Sequence, residues 1–70
     1  MNVDNNKINR MMDLLDVQFY HCQNASKKDR ETQCAYYDGI LAAYEDMLLG
    51  TGKTIYRDEN GKHKIIKLEV

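Results

Sequence analysis

Residues Gln33 to Leu49 read QCAYYDGILAAYEDMLL, and two apolar seams run through that one segment. Cys34, Tyr37, Leu41, Tyr44 and Leu48 step by three and four. Tyr36, Ile40, Ala43 and Met47 do the same, one register over. A helix with one apolar stripe needs one partner surface, and a helix with two needs two. This segment is therefore expected to be the centre of a small fold and to take part in an assembly. Ala35, Gly39 and Ala43 also sit four apart along it. Glycine inside a helix costs about 1 kcal/mol against alanine. Close approach of another backbone, from the first helix or from a second copy of the chain, is the expected compensation.

Working outward, Asp4 or Asn5 can cap a preceding helix whose stripe is Ile8, Met12, Leu15, Phe19 and Cys22, widened by Met11 and Leu14. That helix is expected over about residues 5–23. Asn24-Ala25-Ser26 breaks it, and Ser26 with Asp29 resembles a capping box with aspartate in the glutamate position. The second helix is expected over about 27–49, ending at Gly50, a residue that accepts the left-handed conformation. The short connection makes the helices antiparallel neighbours.

Thr54 to Arg57 and His63 to Val70 favour strands, and Asn60-Gly61 between them is a hairpin signal. Ile66, Leu68 and Val70 alternate on one strand face, with Ile65 on the other. A lone two-stranded hairpin is marginal in water, so it must pack on something, and the second seam of helix two is the expected seat. The fold class is α+β: an antiparallel two-helix hairpin followed by a C-terminal β-hairpin at about 54–70, in one small domain spanning 1–70.

Seventy residues support one core. Such a core rarely supplies more than roughly 3–5 kcal/mol, so small folds often add a cross-link, a metal or a second subunit. With 43% apolar and 30% charged residues the chain is globular in type, and the lack of proline favours unbroken helices. The formal charge of −1 is uneven. Up to Thr51 there are five basic and eight acidic residues (−3), and from Gly52 onward five basic and three acidic (+2). Neither a dedicated DNA binder nor an acidic DNA mimic has that balance. Met1 to Asn9 is polar, unlike a secretory signal, and no stretch is long or apolar enough to span a bilayer. The expected compartment is the cytoplasm, with no membrane partner and with Cys22 and Cys34 as free thiols.

Candidate chemistry is sparse. Gly50-Thr51-Gly52-Lys53-Thr54 resembles the end of a phosphate-binding loop, but the position for its first glycine is Met47, and a helix precedes where a strand is needed. His21, Cys22, Cys34 and His63 lack the short ligand spacing of a zinc site. A Cys22–Cys34 disulfide is disfavoured, because one cysteine lies about one turn from the loop and the other about two. Asp38, Glu45 and Asp46 read as a solvated helix face. No nucleophile is placed beside a base by any spacing, so no catalytic residue, metal or cofactor is expected.

Helical hairpins of this length include small aspartyl-phosphate phosphatases of sporulating bacteria, but their Ser-Gln-Glu-Leu-Asp signature is absent. The run from Tyr36 to Leu48, with Tyr37-Asp38-Gly39 and Tyr44-Glu45-Asp46-Met47-Leu48, resembles small accessory proteins of Gram-positive phages and mobile elements. That resemblance covers helix two and the tail. It implies a short protein that acts by binding a host component, in some cases a defence system.

The expected function is a non-enzymatic, homo-oligomeric interaction module, a phage-type inhibitor or adaptor of a host protein. Its expected interface is Tyr36, Gly39, Ile40, Ala43 and Met47. The first alternative is nucleic-acid binding through the basic β-hairpin, with Lys53, Arg57, Lys62 and Lys64 as contacts. The second is a small anionic ligand at an oligomer interface, which needs Arg30, Lys53 or Arg57 to converge across subunits.

Overall fold

A computed structural model describes residues 5–68 and shows two helices followed by a two-stranded antiparallel sheet. The elements are α1 (Asn5–Asn24), α2 (Arg30–Met47), β1 (Lys53–Arg57) and β2 (His63–Lys67). The α+β class follows. Asp4 as a cap, and Val70 in the strand alternation, lie outside the described residues.

The α1 stripe behaves as its spacing requires. Leu15 is fully covered and Met12 nearly so, while Ile8, Met11, Phe19 and Cys22 pack around them. Burying one such aliphatic side chain stabilises by about 1.5–3 kcal/mol. From α2 the core takes Tyr37, with Ile40, Leu41 and Tyr44 beside it.

Both ends of α2 differ slightly from expectation. Ser26 and Asp29 do bond, the Ser26 Oγ accepting the Asp29 N–H at 3.4 Å and its hydroxyl donating to Asp29 Oδ2 at 3.2 Å, but Asp29 itself stands at the N-cap without a side-chain capping bond, so the capping box expected at Ser26 does not form. Residues 27–29 form a turn leading into the helix, which begins at Arg30 rather than 27. At the other end the helix stops at Met47, two residues before the expected Leu49. Thr51 Oγ1 donates to the Leu48 carbonyl at 2.6 Å, and Gly50 adopts the left-handed conformation at φ +82°.

The β-hairpin register pairs Lys53 with Lys67, Ile55 with Ile65 and Arg57 with His63. Its turn is not the two-residue Asn60-Gly61 type. The strands part after Arg57 and His63, and residues 58–62 form the loop, closed by Asp58 N–H to Lys62 O at 2.9 Å. Among the described residues only glycines have positive φ, so Asn60 does not take the left-handed conformation that a tight Asn-Gly turn requires. Gly61 does, at φ +83°, and a β-carbon there would come within 2.9 Å of the Phe19 ring. The loop rests on α1 at that point.

The hairpin packs on both helices through the face that carries Ile55 and Ile65. It meets the first seam of α2, not the second. Tyr36 and Met47 of the second seam remain 58% and 66% exposed. The face of Ile66 and Leu68 is the outer one, with Leu68 exposed. The reason lies in α1: its Phe19 and Asp16 complete a seat for the inward strand face that α2 alone lacks.

Candidate functional site

Four side chains from α1, α2, β1 and β2 meet in one polar cluster. His63 Nδ1 lies 2.7 Å from Asp16 Oδ1, and its Nε2 lies 2.7 Å from Tyr37 Oη. Arg57 Nη1 donates to the same phenol oxygen at 3.4 Å. The His63 side chain has no exposed surface and Tyr37 is 4% exposed. All donors and acceptors match in one arrangement: Arg57 donates to Tyr37 Oη, the Tyr37 hydroxyl to His63 Nε2, and His63 Nδ1–H to Asp16. Phe19 closes the cluster, its ring 5.1 Å from Tyr37 and 6.0 Å from His63, with the Arg57 guanidinium 4.3 Å above it.

Asp16, together with Glu45 of α2, also fastens the sheet edges. Asp58 N–H to Lys62 O and Leu68 N–H to Gly52 O fix which residue pairs exchange backbone hydrogen bonds. By that alternation Ile55 and His63 point their N–H groups off the sheet. Glu45 Oε1 accepts the Ile55 N–H at 2.8 Å and Asp16 Oδ1 accepts the His63 N–H at 2.8 Å. One carboxylate from each helix therefore clamps one edge of the hairpin. Glu45 also accepts from the Thr54 hydroxyl at 2.9 Å. It does not belong to a solvated face with Asp38 and Asp46, as its helical position suggested.

An Asp–His–Tyr chain can move a proton in principle. Here the imidazole is fully covered and both its ring nitrogens are engaged, while Asp16 at the end of the chain is 17% exposed and lines an open groove with Phe19, Tyr20 and Lys62. Among the described residues no buried side-chain nitrogen or oxygen lacks a partner.

The expected interface residues lie on the open side of α2. Tyr36, Gly39, Ala43 and Met47 are exposed and Ile40 is half-buried. A β-carbon built on Gly39 meets nothing within 4 Å. Close approach by α1 is thus not what Gly39 serves. Met47 also borders an open groove of about 590 Å³, with Ile8, Met11, Met12, Tyr44 and Ile55 in its lining.

The basic candidates scatter. Arg30 is exposed at the start of α2, and Arg57 is turned onto Phe19 and Tyr37. Lys53 occupies the other end of β1, so Arg30, Lys53 and Arg57 do not converge within one chain. Lys62 is exposed, with its Nζ 3.9 Å from Asp16 Oδ2. Lys64 lies 5.5 Å from the centre of the Tyr56 ring on the outer strand face.

Cys22 and Cys34 are joined by a disulfide, so the expectation of free thiols is overturned. The axial offset that argued against the bond assumed a helix beginning at 27. With α2 beginning at Arg30 and α1 ending at Asn24, each cysteine lies about one turn from its helix end, and the α-carbons are 4.6 Å apart. In the chain-entropy model, closing a loop of this size contributes about 3 kcal/mol. That matches the scale of everything one small core provides. Among the described residues no group of three or more His, Cys, Asp or Glu is placed to hold a metal ion, and no helix is long and apolar enough to cross a membrane. Thr51, in the segment resembling a phosphate loop, binds the Leu48 carbonyl and the Lys53 N–H and forms part of a connector.

Sequence reasoning missed the cluster. His63 read as a strand residue among lysines, and Asp16 lies 47 positions away. One signal was available: His63 shares a strand face with Ile65 and should have been assigned to the same side. No family model, no curated protein and no solved structure matches the chain.

Proposed function

We propose that the chain is a non-enzymatic protein–protein interaction module. It self-associates through the open stripe of α2 and acts as a phage-type inhibitor or adaptor of a host protein. One observation carries the reading. Tyr36 and Met47, large and exposed, flank a helix surface where Gly39 has empty space above it. A partner helix can approach the backbone there, and tyrosine and methionine are enriched at interfaces. The mechanism is steric: the stripe of Tyr36, Gly39, Ile40, Ala43 and Met47 docks a partner and covers the surface that partner uses. The covered His63 and the doubly engaged Tyr37 hydroxyl support a role without catalysis. The proposed location is the cytoplasm, where a disulfide would stand in exchange with dithiols.

Gly39→Leu tests the reading, because it fills the space a partner needs at a position where, within one chain, a β-carbon meets nothing within 4 Å. The native mass should fall to that of a monomer, and captured host protein should be lost. Unchanged mass and binding would remove the proposal.

A second reading draws on Lys64 beside Tyr56: a basic and aromatic strand face suits nucleic acid, with Lys62 in the adjoining loop as a further cation. It predicts affinity for duplex DNA or RNA that falls steeply with salt and is abolished by Lys62→Glu with Lys64→Glu. The anionic-ligand alternative now requires a second copy, since Arg30, Lys53 and Arg57 do not meet in one.

A further inference from the structure

The Cys22–Cys34 bond lies near the loop end of the helical hairpin, at the edge of the core. On α1 the last fully covered apolar side chain is Leu15, about two turns before Cys22. Beyond it Phe19 and Cys22 are half-buried, while Tyr20, His21, Gln23 and Asn24 are exposed. On α2 every residue ahead of Cys34 is exposed except the half-buried Gln33. Besides the disulfide, the polar cross-link between the helices here is the Gln18 amide, which donates to the Gln33 backbone and side-chain oxygens at 3.0 Å each. A single neutral hydrogen-bonded pair adds little net stability. The covalent bond joins the Phe19–Tyr37 ring contact in holding this end closed, and it is the one that redox chemistry can break.

This end also seats the rest of the fold. Phe19 lies under Gly61 of the hairpin loop and under Arg57, and Tyr37 follows Cys34 by one turn and holds His63. Separation of the two cysteines therefore loosens the helix ends and the support of the β-hairpin loop together. Both cysteines are half-buried and neither is sealed in the core.

We propose that Cys22–Cys34 is a redox latch on the helical hairpin, closed by oxidation and opened by a dithiol reductant. One thiolate of the reductant attacks a sulfur of the pair, breaking the bond between them and forming a mixed disulfide. The second thiol of the reductant then displaces the remaining sulfur. Two electrons pass to the cysteines, two protons complete their thiols, and the reductant leaves as its own disulfide. The proposal stands apart from the interaction reading, since it concerns the folding of one chain.

Hydrogen exchange of the full chain tests it, after oxidative refolding in a glutathione buffer and again after reduction by a phosphine. The oxidised protein should carry no free thiol. On reduction, amides of Phe19 to Asn24 and Arg30 to Tyr37 should exchange faster, by on the order of tenfold or more. Reoxidation should restore the slow rates. Cys34→Ser should exchange at the fast rate in both buffers; should it fail to fold, the oxidised and reduced wild-type chains still decide. Free thiols after oxidative refolding, or exchange that is the same in both redox states, would overturn the latch.

Discussion

Tyr37 is the residue on which most of the molecule converges. Its ring is buried against Phe19 and its hydroxyl stands between His63 and Arg57. Tyr37→Phe keeps the ring and leaves the covered His63 Nε2 without a donor. A buried acceptor left unsatisfied costs about 1–3 kcal/mol. Asp16→Ala removes more, because the same oxygen accepts both the backbone N–H and the ring N–H of His63. Its loss in urea-unfolding free energy should exceed that of Tyr37→Phe, and Asp16→Asn, which retains one acceptor, should fall between wild type and Asp16→Ala. Wild-type midpoints for Tyr37→Phe and Asp16→Ala would show the cluster to be peripheral to the fold.

At the scale of elements, α1 and the existence of α2 and the hairpin were legible, because helical and strand periods are local signals. The start of α2 was not. Residues 27–29 are turned by Ser26, and three residues of helix were enough to reverse the conclusion about Cys22 and Cys34. The hairpin loop was legible as a turn but not in its form, since Asp58 decides it. The Asp58 carboxylate accepts the N–H of Lys62 at 3.0 Å and of Asn60 at 2.8 Å. The Lys62 bond is the first cause that holds its carboxyl below the ordinary value of 3.8; burial opposes it, and the Asn60 bond and the charges of Lys64 and Lys62 add to the lowering. A lowered folded value means that the ionised group stabilises the loop above the unfolded value. That contribution is lost as pH falls through the folded value. Acidification below about pH 4 should therefore loosen residues 58–62, as seen in the amide shifts of Asn60 and Lys62. Asp58→Ala should show the loosened shifts at neutral pH and no further change on acidification. Pronounced acid sensitivity of those two amides in Asp58→Ala would move the effect to another carboxylate.

For the whole molecule, the question is what covers the second seam. Its pattern was legible in full, yet its use within the chain was not, because periodicity shows that a face is apolar without showing which surface meets it. Here α1 and the hairpin both meet the first seam, so Tyr36 and Met47 are left outside. That exposure separates assembly from folding. Replacing an exposed side chain away from special features usually changes stability by no more than about 0.5 kcal/mol. Tyr36→Ser with Met47→Ser should therefore leave the unfolding midpoint of the isolated chain close to wild type. If the stripe is the interface, the same pair removes its two large apolar anchors. Association should then weaken by several kcal/mol, on the order of 2 or more for each anchor. Sedimentation over a range of concentrations reads the association, and urea unfolding of dilute protein reads the fold. A wild-type oligomer that becomes monomeric with an unchanged midpoint assigns the seam to assembly. Loss of the folded state in both measurements would instead place Tyr36 and Met47 within the monomer's own stability, against their exposure, and the proposed interface would fall with it.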